Sequence, residues 1–279
     1  MQPAAALRSY LAATDAEPDI LVGTLLVASH AKPELDPEPY LALVRDWAAT
    51  LRTRIPGDAG TQERLVRLNH YLFDELGFRG NDDDYYDPRN SLMHEVIERR
   101  TGIPITLAVI YMSLARHIGL DLEGVSFPGH FLVKLNLDEH VIVLDPYHGG
   151  ISLGEDELLR LLRHHHREAD ISQLGQWLAS ANSHDILLRL LRNLKLIYLQ
   201  QQDHPHAIEI YNMLLAIDPG QHEERRERGL LLRDLECNHA ALKDLSLYLD
   251  TQQSQLDEDE SEQLRTLVLD LRRDLRPLH

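Results

Sequence analysis

The sequence predicts an α+β protein with a helical N-terminal region, a core of one helix and an antiparallel sheet, and an all-α C-terminal region. The first eighty residues carry apolar side chains at three- and four-residue spacing, which is typical of amphipathic helices. Short apolar segments follow in residues 122–144 and predict strands. After Gly150 the helical spacing returns and continues to the end of the chain. We expect two domains, residues 1–180 and residues 181–279.

Length and composition indicate a globular, acidic chain. Of its 279 residues 43% are hydrophobic, which is enough to build two compact units. The formal net charge is −17, and this field opposes the phosphate contacts of nucleic-acid binding, so no nucleic-acid partner is expected. The single cysteine, Cys237, excludes an intrachain disulfide and a multi-cysteine zinc site.

Membrane and export signals are not evident in the sequence. The longest apolar stretch, Ile20–Ala31, is interrupted by Gly23 and His30 and is too short for a bilayer. The N-terminus, Met1–Ala4, lacks a basic segment ahead of an apolar one. A cytoplasmic location without membrane contact is therefore expected.

The N-terminal region is predicted to be helical. The predicted helices are Ala4–Thr14, Pro18–Ala31, Pro37–Arg54 and Thr61–Leu76. The following segment, Arg79–Asn90, is polar and rich in turn formers, and its acidic cluster lacks the ligand spacing of a calcium loop. We interpret this segment as a loop and a candidate lid over a neighbouring pocket.

Two further helices, Ser91–Arg99 and Pro104–Ile118, are predicted ahead of the strands. The second is apolar on nearly all sides, so it belongs in a core. The predicted strands are Leu122–Phe127, Phe131–Leu137 and Val141–Leu144. We interpret the run His164–His166 as a solvated helix end, because consecutive helix residues point about 100° apart and cannot all bind one ion.

The C-terminal region contains an internal repeat. With Pro219 as the closing landmark, Ala207 falls on the small packing position of a tetratricopeptide (TPR) repeat. A shift of 34 residues places Ala241 at the same position, and Gly229 where two helices approach closely. Two units and a helix at Glu258–Arg276 fall short of the usual three, so we expect them to pack on the first domain. A generic pair of helical hairpins is the alternative.

The central region carries the candidate chemistry of a cysteine enzyme without its cysteine. A helix N-terminus favours a thiolate, a histidine takes the proton, and a carboxylate orients the histidine. If the last two strands form a hairpin that turns at Asp138-Glu139, His130 and Asp145 become diagonal neighbours on one face. A one-residue change in the turn would separate them. The alternatives are a plain turn at Pro-Gly-His and a plain strand end at Asp-Pro.

The chain resembles the bacterial SirB/YchA-type proteins over nearly its whole length. The resemblance lies in Asn90–Leu92, Arg99–Ala108, Gly124–Val133, Asp145–Tyr147, Gly149-Gly150, Glu224–Leu231 and Ala241–Leu249. Those proteins carry a transglutaminase-like domain, of the papain-like type, followed by TPR units. The resemblance implies the same architecture here.

The wider transglutaminase-like superfamily has the signature Gly-x-Cys-x-x-x-Ala, with Arg and Gly at the end of the same helix. The matching residues are Gly102, Ala108, Arg116 and Gly119. The resemblance therefore places the nucleophile at Pro104 and the other triad members at His130 and Asp145. Proline offers no nucleophile, and Thr106 lies about 200° further round the helix. We interpret Cys237, in the repeat region, as a small core residue.

Three functions are compatible with the sequence. The first is a non-catalytic transglutaminase-like/TPR protein that acts as a regulatory module and binds a protein or peptide. The second is a hydrolase or acyl-transfer enzyme in which His130 and Asp145 activate water or a substrate hydroxyl. The third is a TPR scaffold in which both residues are structural. We expect Asn90, Thr106 and Tyr147 to line the cleft, and we expect no cofactor and no metal.

Overall fold

The computed structural model describes residues 2–13, 17–138, 140–166, 168, 170–252 and 254–275. Its α-helices are α1 (Pro3–Ala12), α2 (Ile20–Ala28), α3 (Glu38–Thr53), α4 (Thr61–Asn69), α5 (Met93–Arg99), α6 (Pro104–Arg116), α7 (Glu155–His165), α8 (Leu174–Trp177), α9 (Ser183–Gln200), α10 (His204–Ile217), α11 (His222–Asp234), α12 (Asn238–Gln252) and α13 (Glu258–Asp274). A π-helical segment, His70–Glu75, continues α4. The predicted α+β class is confirmed.

The strands form one large sheet and one small one. They are β1 (Arg79–Gly80), β2 (Thr101–Gly102), β3 (Leu122–Val125), β4 (Leu132–Asn136), β5 (Val141–Asp145), β6 (Ile151–Leu153) and β7 (Ser180–Ala181). β1 and β2 pair in parallel, and the other strands form an antiparallel sheet in the order β6-β5-β4-β3-β7. The prediction that the chain stays helical after Gly150 was wrong, because β6 and β7 form the two edges of this sheet. Strands of two or three residues are too short to show a period in the sequence.

The structure also bears on predictions that were made for single residues. Cys237 was expected in a core but is exposed in the turn between α11 and α12. The predicted end points Thr14 and Arg276, the turn residue Glu139, and Gln253 at the end of the second repeat lie outside the described residues.

Helix α6 runs through the middle of the core. It begins at Pro104, where the missing N–H costs no helical hydrogen bond, and 11 of its 13 residues are buried, as the sequence predicted. The helix ends before Gly119, which has a φ of +74°. Alternation along β4 puts Val133 in one hydrophobic cluster with α6 and Leu132 in another with α7 and α8. The sheet is therefore covered by helices on both faces.

The C-terminal helices form two hairpins, α9–α10 and α11–α12, with α13 packed on α12. A Cβ atom on Gly229 would lie 2.8 Å from Leu245 Cδ2, which confirms the close approach predicted there. The N-terminal helices cover the first hairpin, since α1 packs on α10 and α2 packs on α9. A buried hydrogen bond of 2.9 Å between His30 Nε2 and the Tyr198 hydroxyl joins these two parts.

Replacing Gly229 by Val should lower the free energy of unfolding by about 1–3 kcal/mol, the usual cost of overpacking a tight contact. Urea denaturation of the purified chain measures this change. Gly175→Val, at a helical glycine with no heavy atom within 4 Å of the added Cβ, is the matched control and should cost less. Equal losses for both variants would show that α11 and α12 do not approach closely at Gly229.

Candidate functional site

A hairpin brings two of the predicted site residues together. β4 pairs with β5 so that Val133 faces Leu144 and Asn136 faces Val141, which is the register predicted from the sequence. His130 lies in the turn that enters β4, and Asp145 is the last residue of β5. His130 Nε2 and Asp145 Oδ2 lie 2.9 Å apart and share a hydrogen bond.

The Asp145 carboxylate is buried, and both of its oxygens form hydrogen bonds. Its side chain is only 3% exposed. Oδ1 accepts from the Tyr147 N–H at 3.0 Å, and Oδ2 also lies 2.7 Å from His148 Nδ1. Burial opposes ionisation of this carboxyl, but the hydrogen bonds and charge of His130 and His148 outweigh burial and lower its pKa. Asp145 is therefore a carboxylate at neutral pH.

This bond also determines which nitrogen of His130 is available. In the neutral form of His130 that donates from Nε2 to Asp145, the Nδ1 atom keeps its lone pair. A carboxylate that fixes the tautomer and orientation of an imidazole is the base-and-orienter half of a catalytic triad. The arrangement can accept a proton or a hydrogen bond at Nδ1.

Helix α6 packs on the 3₁₀ turn Pro146–His148, which follows Asp145. Gly102 in β2 pairs with Gly80 in β1, just ahead of Pro104. A Cβ atom on Gly80 would lie 2.5 Å from the Tyr147 ring, so only glycine allows this ring to pack here. The centre of the Tyr147 ring lies 6.0 Å from that of His130. Pro104, at the position that the family resemblance assigns to the nucleophile, is buried.

The structure encloses two of the three residues expected to line the cleft. Asn90 and Thr106 are both 0% exposed. The Thr106 hydroxyl donates to the Asn90 carbonyl at 2.9 Å and accepts from the Ile103 N–H at 3.1 Å. The Asn90 amide donates to the Asp84 carbonyl at 2.7 Å. These side chains join the 81–90 loop to the first turn of α6, whereas Tyr147 lies beside His130.

A series of aromatic contacts extends from the His130 ring through Tyr147 to the protein surface. The Tyr85 ring lies 6.3 Å from that of Tyr147 and 5.3 Å from that of Tyr86. Tyr86 is 62% exposed, and the Tyr147 hydroxyl donates to Asp82 Oδ1 at 2.8 Å. Tyr85, Tyr86 and Tyr147 form what we call the tyrosine rim.

Sequence reasoning missed two residues at this site. His148 lies three residues after Asp145 on a 3₁₀ turn, and no spacing rule for a triad points to it. Arg189 on α9 donates to the carbonyls of Phe127 and His130 at 2.9 and 2.6 Å. Its contact spans 59 residues along the chain, so only the folded structure shows it.

His130, Asp145 and His148 could also hold a metal ion. Their ligand atoms all lie within 4.8 Å of one another, and two histidines with one carboxylate suit several divalent transition metals. The same atoms already bond to each other through the Asp145 carboxylate. A metal would have to replace these hydrogen bonds.

Comparison with known proteins identifies the family. The profile described as "Transglutaminase-like superfamily" matches residues 38–192, more than half of the chain. The chain belongs to the transglutaminase-like superfamily. A tetratricopeptide repeat profile matches residues 194–268 of this superfamily member, which confirms the predicted architecture. A helical region of this type suggests a protein-interaction module.

Individual relatives of this superfamily member come from bacteria and animals. A UPF0162 protein of Xylella fastidiosa is 41% identical over 246 residues, covering 87% of this chain and 88% of that protein. Human F-box only protein 21 is 49% identical over 70 residues, which are 25% of this chain and 11% of that protein. A menin structure, titled for its binding site for the Mixed Lineage Leukemia (MLL) protein, aligns with a TM-score of 0.49 and 12% identity. That alignment covers 95% of this chain and 69% of menin, and its score is too low to support a conclusion.

No helix within the described part of the chain is both long enough and apolar enough to cross a bilayer.

Replacing Asp145 by Asn should lower the free energy of unfolding at pH 7 by about 1.5–3 kcal/mol, the usual worth of hydrogen bonds to a charged group. Because the pKa of Asp145 is lowered in the folded chain, its stabilisation is present above its unfolded pKa of about 3.9. That stabilisation is lost as pH falls through the folded pKa. The Asp145→Asn variant should therefore lose less stability than the original chain between about pH 5 and about pH 3.

Urea denaturation at each pH measures this difference. Asp138→Asn, at an exposed position on the same hairpin, is the control and should follow the pH dependence of the original chain. Parallel curves for the original chain and Asp145→Asn would contradict the lowered pKa.

Proposed function

We propose that this chain is a non-catalytic binding protein that recognises a peptide segment of a partner at the His130–Asp145 pair and the tyrosine rim. One observation carries the proposal: the position of the superfamily's nucleophile holds Pro104, while the histidine and carboxylate of the triad stay paired at 2.9 Å. The pair keeps its orientation without an atom that could attack a substrate.

Other nucleophiles in the chain are poorly placed to replace the missing thiol. The hydroxyl of Thr106 is enclosed and bonded to Asn90 and Ile103. Cys237 is exposed in the turn between α11 and α12, within the TPR-like region. Covalent catalysis needs a nucleophile within hydrogen-bond reach of its base, and neither residue meets this condition in the described structure.

The site has the composition of a recognition surface. The tyrosine rim presents rings with an apolar face and a polar tip, and such residues are enriched where proteins meet. The Nδ1 atom of His130 offers one oriented acceptor beside them. Backbone N–H groups of an extended peptide are suitable donors to this nitrogen.

The TPR-like helices support the site as a buttress. The Ser183 hydroxyl donates to the Pro18 carbonyl at 2.8 Å, and Arg189 holds the backbone of the turn that carries His130. The faces of α9 and α10 covered by α1 and α2 are not free for a partner. We infer that a partner contacts the TPR-like region at its other faces.

Two other functions have some support. The ionised Asp145 orients His130 well enough to activate water, which favours a hydrolase without a covalent step. The low exposure of both side chains, 13% for His130 and 3% for Asp145, favours a scaffold in which the pair is structural. Neither accounts for the exposed tyrosine rim.

Panning a displayed random-peptide library on the full chain tests the proposal. His130→Ala should weaken binding of the selected peptides by about tenfold or more, because it removes the oriented acceptor at Nδ1. His140→Ala, an exposed histidine on the same hairpin, is the matched control and should bind normally. Equal binding to His130→Ala would contradict the proposal, and hydroxamate formation from a glutamine peptide that requires His130 would favour the enzyme.

A cysteine introduced at residue 104 tests whether this residue occupies the position of the superfamily's nucleophile. In a Cys237→Ser background, Pro104→Cys should react with iodoacetamide near pH 7 on the order of tenfold faster than the same chain with His130→Ala, because a neighbouring imidazole favours the thiolate. His140→Ala should not change the rate. Equal rates in folded variants would show that residue 104 does not face His130.

A further inference from the structure

Arg189 holds the turn that carries His130 and retains capacity for another ligand. Its Nη2 atom makes both hydrogen bonds, to the carbonyls of Phe127 and His130. Its guanidinium carbon lies 5.6 Å from the centre of the Phe131 ring. A guanidinium has several further N–H donors in a planar fork, so a second acceptor can bind without displacing the first two.

The positive charge of Arg189 has no carboxylate partner among the described residues. Asp185, one turn earlier on α9, instead caps the helix by accepting from the Asn182 N–H at 3.4 Å. The arginine is half-buried, and burial lowers its pKa. A half-buried cation whose hydrogen bonds go to neutral backbone carbonyls favours an external anion.

A groove opens beside this arginine. It has a volume of about 600 Å³, within the range of ligand pockets, and its lining includes Ser126, Trp177 of α8 and Asn193 of α9. Trp177 Nε1 is a buried donor without an acceptor in the described part of the chain. Arg192 and Asp185 also line the groove, but Glu224 already accepts from Arg192 at 2.8 Å, and Asp185 accepts from the Asn182 N–H at 3.4 Å. The unused hydrogen-bonding capacity of Arg189 and Trp177 therefore consists of donors.

We propose that this groove binds a peptide through a carboxylate that accepts charge-assisted hydrogen bonds from the remaining N–H donors of Arg189, on Nε and Nη1. The apolar walls provided by Trp177 and Leu188 suit the side chains around such a carboxylate. Nucleic acids and other polyanions fit poorly, because the net charge of −17 repels them at long range. This inference rests on the peptide-binding function proposed above and specifies a second contact for the same partner.

The contact also links the groove to His130. A carboxylate in the groove would bind the same side chain that donates to the Phe127 and His130 carbonyls. Occupation of the groove should therefore alter peptide affinity at His130, so that binding at the two places is coupled.

Tryptophan fluorescence of the full chain measures binding in the groove, with Trp177→Phe identifying the source of the signal. The probes are acetyl-Ala-Glu-Ala-amide, acetyl-Ala-Gln-Ala with a free C-terminus, the neutral acetyl-Ala-Gln-Ala-amide, and inorganic phosphate. At least one of the two carboxylate peptides should bind about tenfold more tightly than the neutral peptide. Tighter binding of the first indicates a side-chain carboxylate, and tighter binding of the second indicates a C-terminal carboxylate. Tighter binding of phosphate than of both peptides would overturn the peptide assignment.

Variants at Arg189 test whether its side chain binds the carboxylate. Arg189→Gln should abolish the preference for a carboxylate, and Arg189→Lys, which keeps the charge but not the fork, should reduce it. Arg160→Gln, at an exposed arginine on α7, is the control and should keep the full preference. If Arg189→Gln does not fold, Arg189→Lys alone decides. A preference that persists in folded Arg189 variants overturns this inference, while loss of His130-dependent peptide binding would instead overturn the proposed function.

Discussion

The buried carboxylate of Asp145 is the constraint on which the rest of the site depends. A charge in the interior is tolerated only when hydrogen bonds satisfy it, and here three groups do so: the Tyr147 N–H, His130 and His148. Those bonds require the observed hairpin register, the 3₁₀ turn after β5 and the turn ahead of β4. Moving the register by one residue would turn Asp145 away from His130.

Around this carboxylate the first turn of α6 is closely packed, and Pro104, where we propose the superfamily's nucleophile position, is buried. Gly80 and Gly102 allow the Tyr147 ring and the start of α6 to approach, and Thr106 bonds inward to Asn90. A site that retains an oriented imidazole beside exposed tyrosines can recognise a ligand without transforming it. Arg189 adds to this arrangement, because one side chain from α9 donates to the backbone carbonyl of His130.

Sequence reasoning recovered the features that depend on local pattern. Apolar residues all round predicted the burial of α6, the turn length predicted the pairing of Val133 with Leu144, and the 34-residue repeat predicted the tight contact at Gly229. Features that depend on distant contacts or very short segments were not predictable. The edge strands β6 and β7 have too few residues to show a period, and the inward direction of Thr106 depends on a carbonyl 16 residues away.

The central claim is that Asp145 holds His130 as an oriented acceptor that a peptide uses. The most direct measurement is the imidazole ¹⁵N spectrum of His130 in the original chain, recorded with and without a library-selected peptide. The account predicts a proton on Nε2, a free Nδ1, and a change in the Nδ1 resonance when the peptide binds. A proton on Nδ1 in the free chain, or an unchanged spectrum at saturating peptide, would contradict it.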